Sequence, residues 1–180
     1  VSVERVREEG SMRTFVVSLG GGNVMGKVKV KVELWQTAPE ALATIRTVVS
    51  PVRLSRGPGS EVNPHVPTAE AEEILADKVF AMGGRPFTKS RDVFDIHWLV
   101  QQGTRRPDAS DLATRFAIYN VGGPETWLRT ATGRRQELLA DQGVLAEEIR
   151  PWLPSYWPLT EETVREMVAT TVEVIDHGAA

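Results

Sequence analysis

The chain has no cysteine, which excludes disulfides and thiolate metal sites. Its three histidines, His65, His97 and His177, are scattered and form no His-x-x-x-His pair, so a histidine-built zinc centre is not expected. No apolar run approaches the ~18 residues of a membrane span, and no signal-peptide pattern is visible, so the expected location is cytoplasmic with no membrane partner. Internal repeats and low-complexity tracts are also lacking. The first residue is valine rather than methionine, as expected of a fragment or of a reading frame opened at a GTG codon.

What remains is ordinary for a soluble globular protein: 41% hydrophobic and 25% charged residues. A length of 180 residues suits one domain, or a small sheet with a helical lobe. The formal charge of −3 argues against nucleic-acid binding through overall charge. Between Asp77 and Arg106, however, six basic residues face three acidic ones, a basic stretch within an acidic chain. Such a stretch fits a phosphate-bearing ligand or, equally, a solvated basic face.

Residues up to Val32 read as strands. Arg13 to Leu19 is β-branched and aromatic, Gly20 to Asn23 makes a turn, and the run from Val24 to Trp35 alternates. Val28, Val30, Val32 and Leu34 are expected on a core face, with Lys27, Lys29, Lys31 and Glu33 on the charged one. The triple glycine matches neither phosphate-loop pattern, because no helix with the required lysine or glycine spacing follows it. Gln36 to Val49 is expected as a short helix or loop, and Pro51 to Pro67 as loop or irregular strand.

Glu72 to Val100 carries most of the chemistry. Thr68 is expected to cap a helix with Ala71, Ile74, Leu75, Val79 and Met82 on one side, stopped by Gly83 and Gly84. Lys78 falls inside that apolar stripe. After a basic connector with Arg85, Lys89 and Arg91, Ser90 is expected to cap a second helix containing Val93, Phe94, Ile96, Trp98 and Leu99, closed by Gly103. Asp92 and Asp95 share a face of it. Helices on so short a link usually pack antiparallel, which would let Lys78 face Asp92 or Asp95. From the residues alone, a structural ion pair and a ligand site both remain open.

The order I-L-A-D-K, then Arg85, then R-D-V-F-D before an apolar helix, resembles the AbiEii/AbiGii nucleotidyltransferase toxin family of type IV toxin–antitoxin and abortive-infection systems. The resemblance implies an α+β fold: a small antiparallel or mixed sheet, part of a nucleotidyltransferase fold, over residues 1–66, packed on a helical lobe over 67–180. It implies transfer of a nucleotide from a nucleoside triphosphate to a tRNA-like RNA acceptor, with Mg²⁺ as cofactor and an antitoxin as partner. Lys78 matches the family's motif lysine near the phosphates, and Asp92 the aspartate of its R-D-x-x-D segment, and the resemblance implies that both, with Glu33, are catalytic. Arg85, Lys89 and Arg91 are then nucleotide-binding residues and Asp95 a supporting one. Glu33 matches a third, metal-binding acid on a strand; its plain reading is a charge offsetting the lysine ladder. The family's earlier Gly-Ser/Thr turn and Asp-x-Asp pair have no counterpart after Gly10–Ser11, so the chain is expected to lack the first metal-binding segment. The alternatives are an inactive remnant that binds nucleotide, RNA or an antitoxin, and an unrelated α+β module.

Beyond Gly103 the pattern is helical. Ser110 to Asn120 carries Leu112, Phe116 and Tyr119, and Pro124 opens a helix that Gly133 is expected to break or kink. Val144 to Arg150 makes one or two further turns, and Thr160 to Asp176 forms a last packing helix with an acidic outer side. Trp152, Tyr156 and Trp157, set among prolines, suit either base stacking or plugging of the core.

Overall fold

The computed structural model describes residues 2–9, 12–19, 28–51, 65–119 and 122–180. Gly10–Ser11, the turn expected at Gly20–Asn23, Lys27 of the expected charged face, and residues 52–64 of the expected loop lie outside them. The protein is α+β, with small antiparallel sheets followed by a helical lobe. It divides into two compact units, Val1–Leu42 and Ala43–Ala180.

The first unit holds β1 (Ser2–Glu9), β2 (Met12–Leu19) and β3 (Val28–Trp35), an antiparallel sheet in the order β1-β2-β3. Phe15 faces Val32 and Thr14 faces Glu33, and the β1/β2 register shifts by a residue between Arg5 and Arg7. The alternation expected in β3 is present, but its apolar face is not core: Val30 and Leu34 stay exposed. Among the described residues of this unit only the single turn of α1 (Pro39–Leu42) accompanies the sheet, and a sheet buries a face only against a second layer.

The second unit opens with an antiparallel pair, β4 (Thr47–Pro51) and β5 (His65–Ala69). Thr68 therefore does not cap a helix. It pairs with Val48 and donates its hydroxyl to the Val48 carbonyl at 3.1 Å. The helix starts later, as α2 (Ala71–Gly84), with Glu70 at the N-cap.

There follow α3 (Ser90–Gln101), α4 (Ala109–Tyr119), α5 (Pro124–Ala140), α6 (Gln142–Ile149), a 3₁₀ turn at Arg150–Trp152, and α7 (Glu161–Ala179). Their starts follow the expected chemistry: Pro124 in the first turn of α5, Asp141 accepting from the Val144 N–H, and Thr160 accepting from the Thr163 N–H. Gly103, at φ +81°, ends α3 in the left-handed region. Ser90 differs from expectation, since Lys89 holds the N-cap position and the Ser90 hydroxyl bonds to Glu148 of α6.

α2 is the centre of the lobe, touching α3, α4, α5 and α7. Leu75, Val79 and Met82 meet Val93 and Ile96 of α3, Ala131 of α5 and Met167 and Val168 of α7 in one core. Full burial of each large aliphatic side chain is worth ~1.5–3 kcal/mol. Gly83 and Gly84 lie within the last turn of α2 rather than beyond it. A Cβ on Gly83 would fall 2.6 Å from the ring and the carbonyl oxygen of Trp127, whose Nε1–H donates to the Phe80 carbonyl at 2.8 Å. Gly133 does not break α5, because the buried Ala131 and Leu138 on either side hold the helix to the core. A Cβ there meets nothing within 4 Å. Gly83→Ala is therefore expected to destabilise by ~1–3 kcal/mol. Gly133→Ala is expected to stabilise by up to ~1 kcal/mol. Opposite shifts in two thermal melts check the pair.

Candidate functional site

The ion pair expected between the two central helices is present, and it is a cluster. Lys78 projects from α2 and places Nζ 2.7 Å from Asp92 Oδ1 and 2.6 Å from Asp95 Oδ2, both on α3. Asp92 and Asp95 can share one ammonium because they lie one helical turn apart. Arg85, from the connector, donates through Nη1 to Asp92 Oδ2 at 2.5 Å. Asp92 is buried at 2% exposure, and two cations occupy its two oxygens. Lys78 is three-quarters buried and Arg85 more open. Burial alone would pull the Lys78 pKa down, but the hydrogen bonds to Asp92 and Asp95 outweigh it and hold the amine above the usual lysine value. The shift favours the charged ammonium form of Lys78.

A second network lies behind the first. Arg115 of α4, 2% exposed, donates to Glu73 Oε2 at 2.6 Å and to the Glu73 carbonyl at 2.9 Å, and its Nε lies 2.6 Å from Asp77 Oδ1. Arg46 reaches Glu73 Oε1 at 2.9 Å. Desolvation pushes the Glu73 carboxyl up, yet the hydrogen bonds from Arg46 and Arg115 leave it below the usual range. For Asp77 burial prevails and the carboxyl is raised despite Arg115 and Tyr119. Tyr119 is pushed up to about 12 by burial and by Asp77, so its phenol keeps the proton that it donates to Asp77.

This second network was not read from the sequence. The signal was available, because Arg115 lies three residues after Leu112 and four before Tyr119, inside the apolar stripe of α4 as Lys78 is inside that of α2.

The other expected residues have partners of their own. Arg91 is exposed, with its guanidinium 5.3 Å over the Trp152 ring, beside a cavity also lined by Thr88, Lys89 and Glu148. Glu33 belongs to the first unit, where Lys31 Nζ lies 2.6 Å from it. Arg105 and Arg106, part of the expected basic stretch, are balanced by Asp108, Asp111 and Glu173. Trp157 packs edge-on against Phe94, whereas Trp152 and Tyr156 are exposed.

The described residues do not by themselves fit Mg²⁺. No group of three His, Cys, Asp or Glu is gathered among them. Asp92 and Asp95 already spend oxygens on Lys78 and Arg85, whereas a magnesium ion needs near-octahedral oxygen ligands.

Fold and site together define a class: an α+β protein whose helical lobe holds a Lys–Asp–Asp–Arg cluster around the buried Asp92, beside a cavity. The chain belongs to the AbiEii family, nucleotidyl transferase toxins of type IV toxin–antitoxin systems, with residues 2–154 matched. It is similar to the crystal structure of JHP933 from Helicobacter pylori, at 18% identity and a TM-score of 0.47, over 98% of this chain. The chain spans 64% of the length of JHP933. No curated protein matches it. Among the described residues, no helix is long and apolar enough to cross a membrane.

Proposed function

We propose that the helical lobe binds a nucleoside triphosphate through Lys78 and Arg85 and that the protein transfers its nucleotidyl group to an RNA acceptor, restrained by a cognate antitoxin. The observation that carries this is the Lys78 ammonium held between Asp92 and Asp95, within the segment matched to the family and on the wall of a cavity of about 380 Å³. An ammonium has three donors and a guanidinium five, so both cations keep donors beyond those spent on carboxylates.

In nucleotidyl transfer an acceptor hydroxyl attacks the α-phosphorus and pyrophosphate leaves. Negative charge spreads over the phosphoryl oxygens, and fixed cations nearby lower the barrier. Lys78 and Arg85 supply that charge. Asp92, buried with both oxygens engaged, is a positioning residue that aims the two cations, and Asp95 steadies Lys78 from its other side. Glu33 is the third carboxylate of the family pattern in this reading, and Mg²⁺ enters the test as a variable.

The chain incubated with labelled nucleoside triphosphates, divalent cation and bacterial RNA is expected to label the RNA. Asp92→Asn is expected to lower that labelling about a hundredfold, the size of one lost charge-stabilising contact. Equal labelling by the variant would remove Asp92 from the site. A second reading, RNA binding without transfer, is favoured by the exposed Trp152 under the Arg91 guanidinium and by the exposed Tyr156. Salt-sensitive RNA binding with no labelling would decide for it.

A further inference from the structure

The cavity beside Lys78 has an end that the phosphates do not explain. One face of α2 forms its floor, with Ile74, Ala81 and Gly84 in succession at helical spacing. Phe80 and Tyr119 close one wall, their rings stacked at 5.4 Å and 13°. Phe80 is braced edge-on by Phe116 at 5.0 Å. A Cβ on Gly84 would come within 3.1 Å of the Phe80 ring, so glycine there leaves the wall open. Lys78 and Arg85 stand on the same lining. A volume of about 380 Å³ falls in the ~300–1,000 Å³ range of small-molecule sites, which combine apolar walls with a few placed polar groups.

One of those polar groups, Asp77, has no part in holding Lys78 or Arg85. Its carboxylate lines the cavity and is fixed from behind by Arg115, itself almost fully buried, and by the Tyr119 hydroxyl. Ionised, Asp77 offers acceptors only, and those not taken by Arg115 and Tyr119 are available to a ligand in the cavity.

We propose that this cavity is the nucleoside subsite of the nucleotide site, with the base against the Phe80–Tyr119 wall and Asp77 accepting a hydrogen bond from the nucleoside. The donor is either a ribose hydroxyl or a base N–H; both present the same chemistry to a carboxylate. Asp77 is a specificity-determining residue, and Arg115 positions it. The inference rests on the nucleotide-binding reading above. It adds that the half of the ligand carrying no phosphate is recognised by α2 and α4.

The test separates the two halves of the ligand. Binding of ribonucleoside triphosphates, 2′-deoxynucleoside triphosphates and inorganic tripolyphosphate is measured by calorimetry on the wild-type chain, on Asp77→Asn and on Ala81→Leu, which fills the cavity from the α2 face. Both variants are expected to weaken nucleoside triphosphates about tenfold or more, the size of one charge-assisted hydrogen bond or one lost stacking site, and to leave tripolyphosphate unchanged. Weaker binding of the deoxynucleotides by wild type, with that difference gone in Asp77→Asn, assigns the donor to the ribose. Preference among bases that disappears in the same variant assigns it to the base. Should Asp77→Asn fail to fold, Ala81→Leu alone decides. Unchanged nucleotide affinity in the folded variants, or equal losses for nucleotide and tripolyphosphate, overturns the nucleoside subsite while leaving the phosphate site standing. A wild-type chain that binds neither ligand overturns the nucleotide reading, and this inference with it.

Discussion

Arg115→Met is expected to destabilise the second unit by about 3 kcal/mol, at the lower end of the cost of leaving a buried charge without its partner. The lower end applies because Glu73, 7% exposed, would keep Arg46 at 2.9 Å on Oε1 after losing Arg115 from Oε2 and from its carbonyl. Replacing both members, as Glu73→Leu with Arg115→Met, is expected to cost less than Arg115→Met alone, since the Glu73 carboxylate is no longer left short of a partner, whereas Asp77 loses Arg115 in both variants. The acid limb adds an independent check. Glu73 is held below its ordinary pKa, so it contributes stability above the unfolded-state value that is lost as pH falls through the depressed one. Asp77 is raised by burial and has the opposite sign, its ionisation opposing the fold until acid relieves it. Without Arg115 the Glu73 contribution shrinks, and urea unfolding across an acidic pH series is expected to show a flatter loss. A cost below about 1 kcal/mol would mean that the Arg115 network is incidental to the fold.

The second large effect is on ligand binding. Lys78→Ala is expected to leave the lobe folded and to weaken nucleoside triphosphate binding by about a hundredfold or more, ~2.7 kcal/mol. The fold is expected to survive because Asp92 retains Arg85 at 2.5 Å and Asp95 is partly exposed to water. The amine's raised pKa sets the pH behaviour. Lys78 contributes stability that is fully present below the ordinary lysine pKa and is lost only as pH rises through its raised value. Nucleotide binding through Lys78 is therefore expected to vary little across neutral pH, as far as this group controls it.

Much of the lobe was legible because long helices announce themselves through apolar spacing. Ala109–Tyr119 and Glu161–Ala179 lie within a few residues of their sequence limits, with Pro124 and Thr160 at the starts expected of them, whereas Pro124–Ala140 runs on through the Gly133 at which a break or kink was expected. The Lys78–Asp92–Asp95 contact was readable for the same reason, since a lysine inside an apolar stripe must meet an acid on whatever packs against it. Thr68 misled because a Pro-Thr pair before a helical run looks like a cap. Its strand role depends on Val48, twenty residues away, which no local pattern carries. Ser90 misled likewise, its hydroxyl being taken by Glu148, fifty-eight positions on. In β3, alternation gave the strand and its two faces but could not tell whether a second layer covers Val30 and Leu34. The Glu73–Arg115–Asp77 network joins α2 to α4 over some forty positions, and only the packed lobe brings it together.

The most direct test is a calorimetric titration of nucleoside triphosphate, with and without divalent cation, into the wild-type chain and into Lys78→Ala, alongside melting curves for both. Saturable binding by wild type, lost in a variant that melts cooperatively, is the result that a nucleotide site built on Lys78, Asp92 and Arg85 predicts. A variant that unfolds while wild type binds nothing would contradict it, and the cluster would then be a structural ion pair at the centre of the helical lobe.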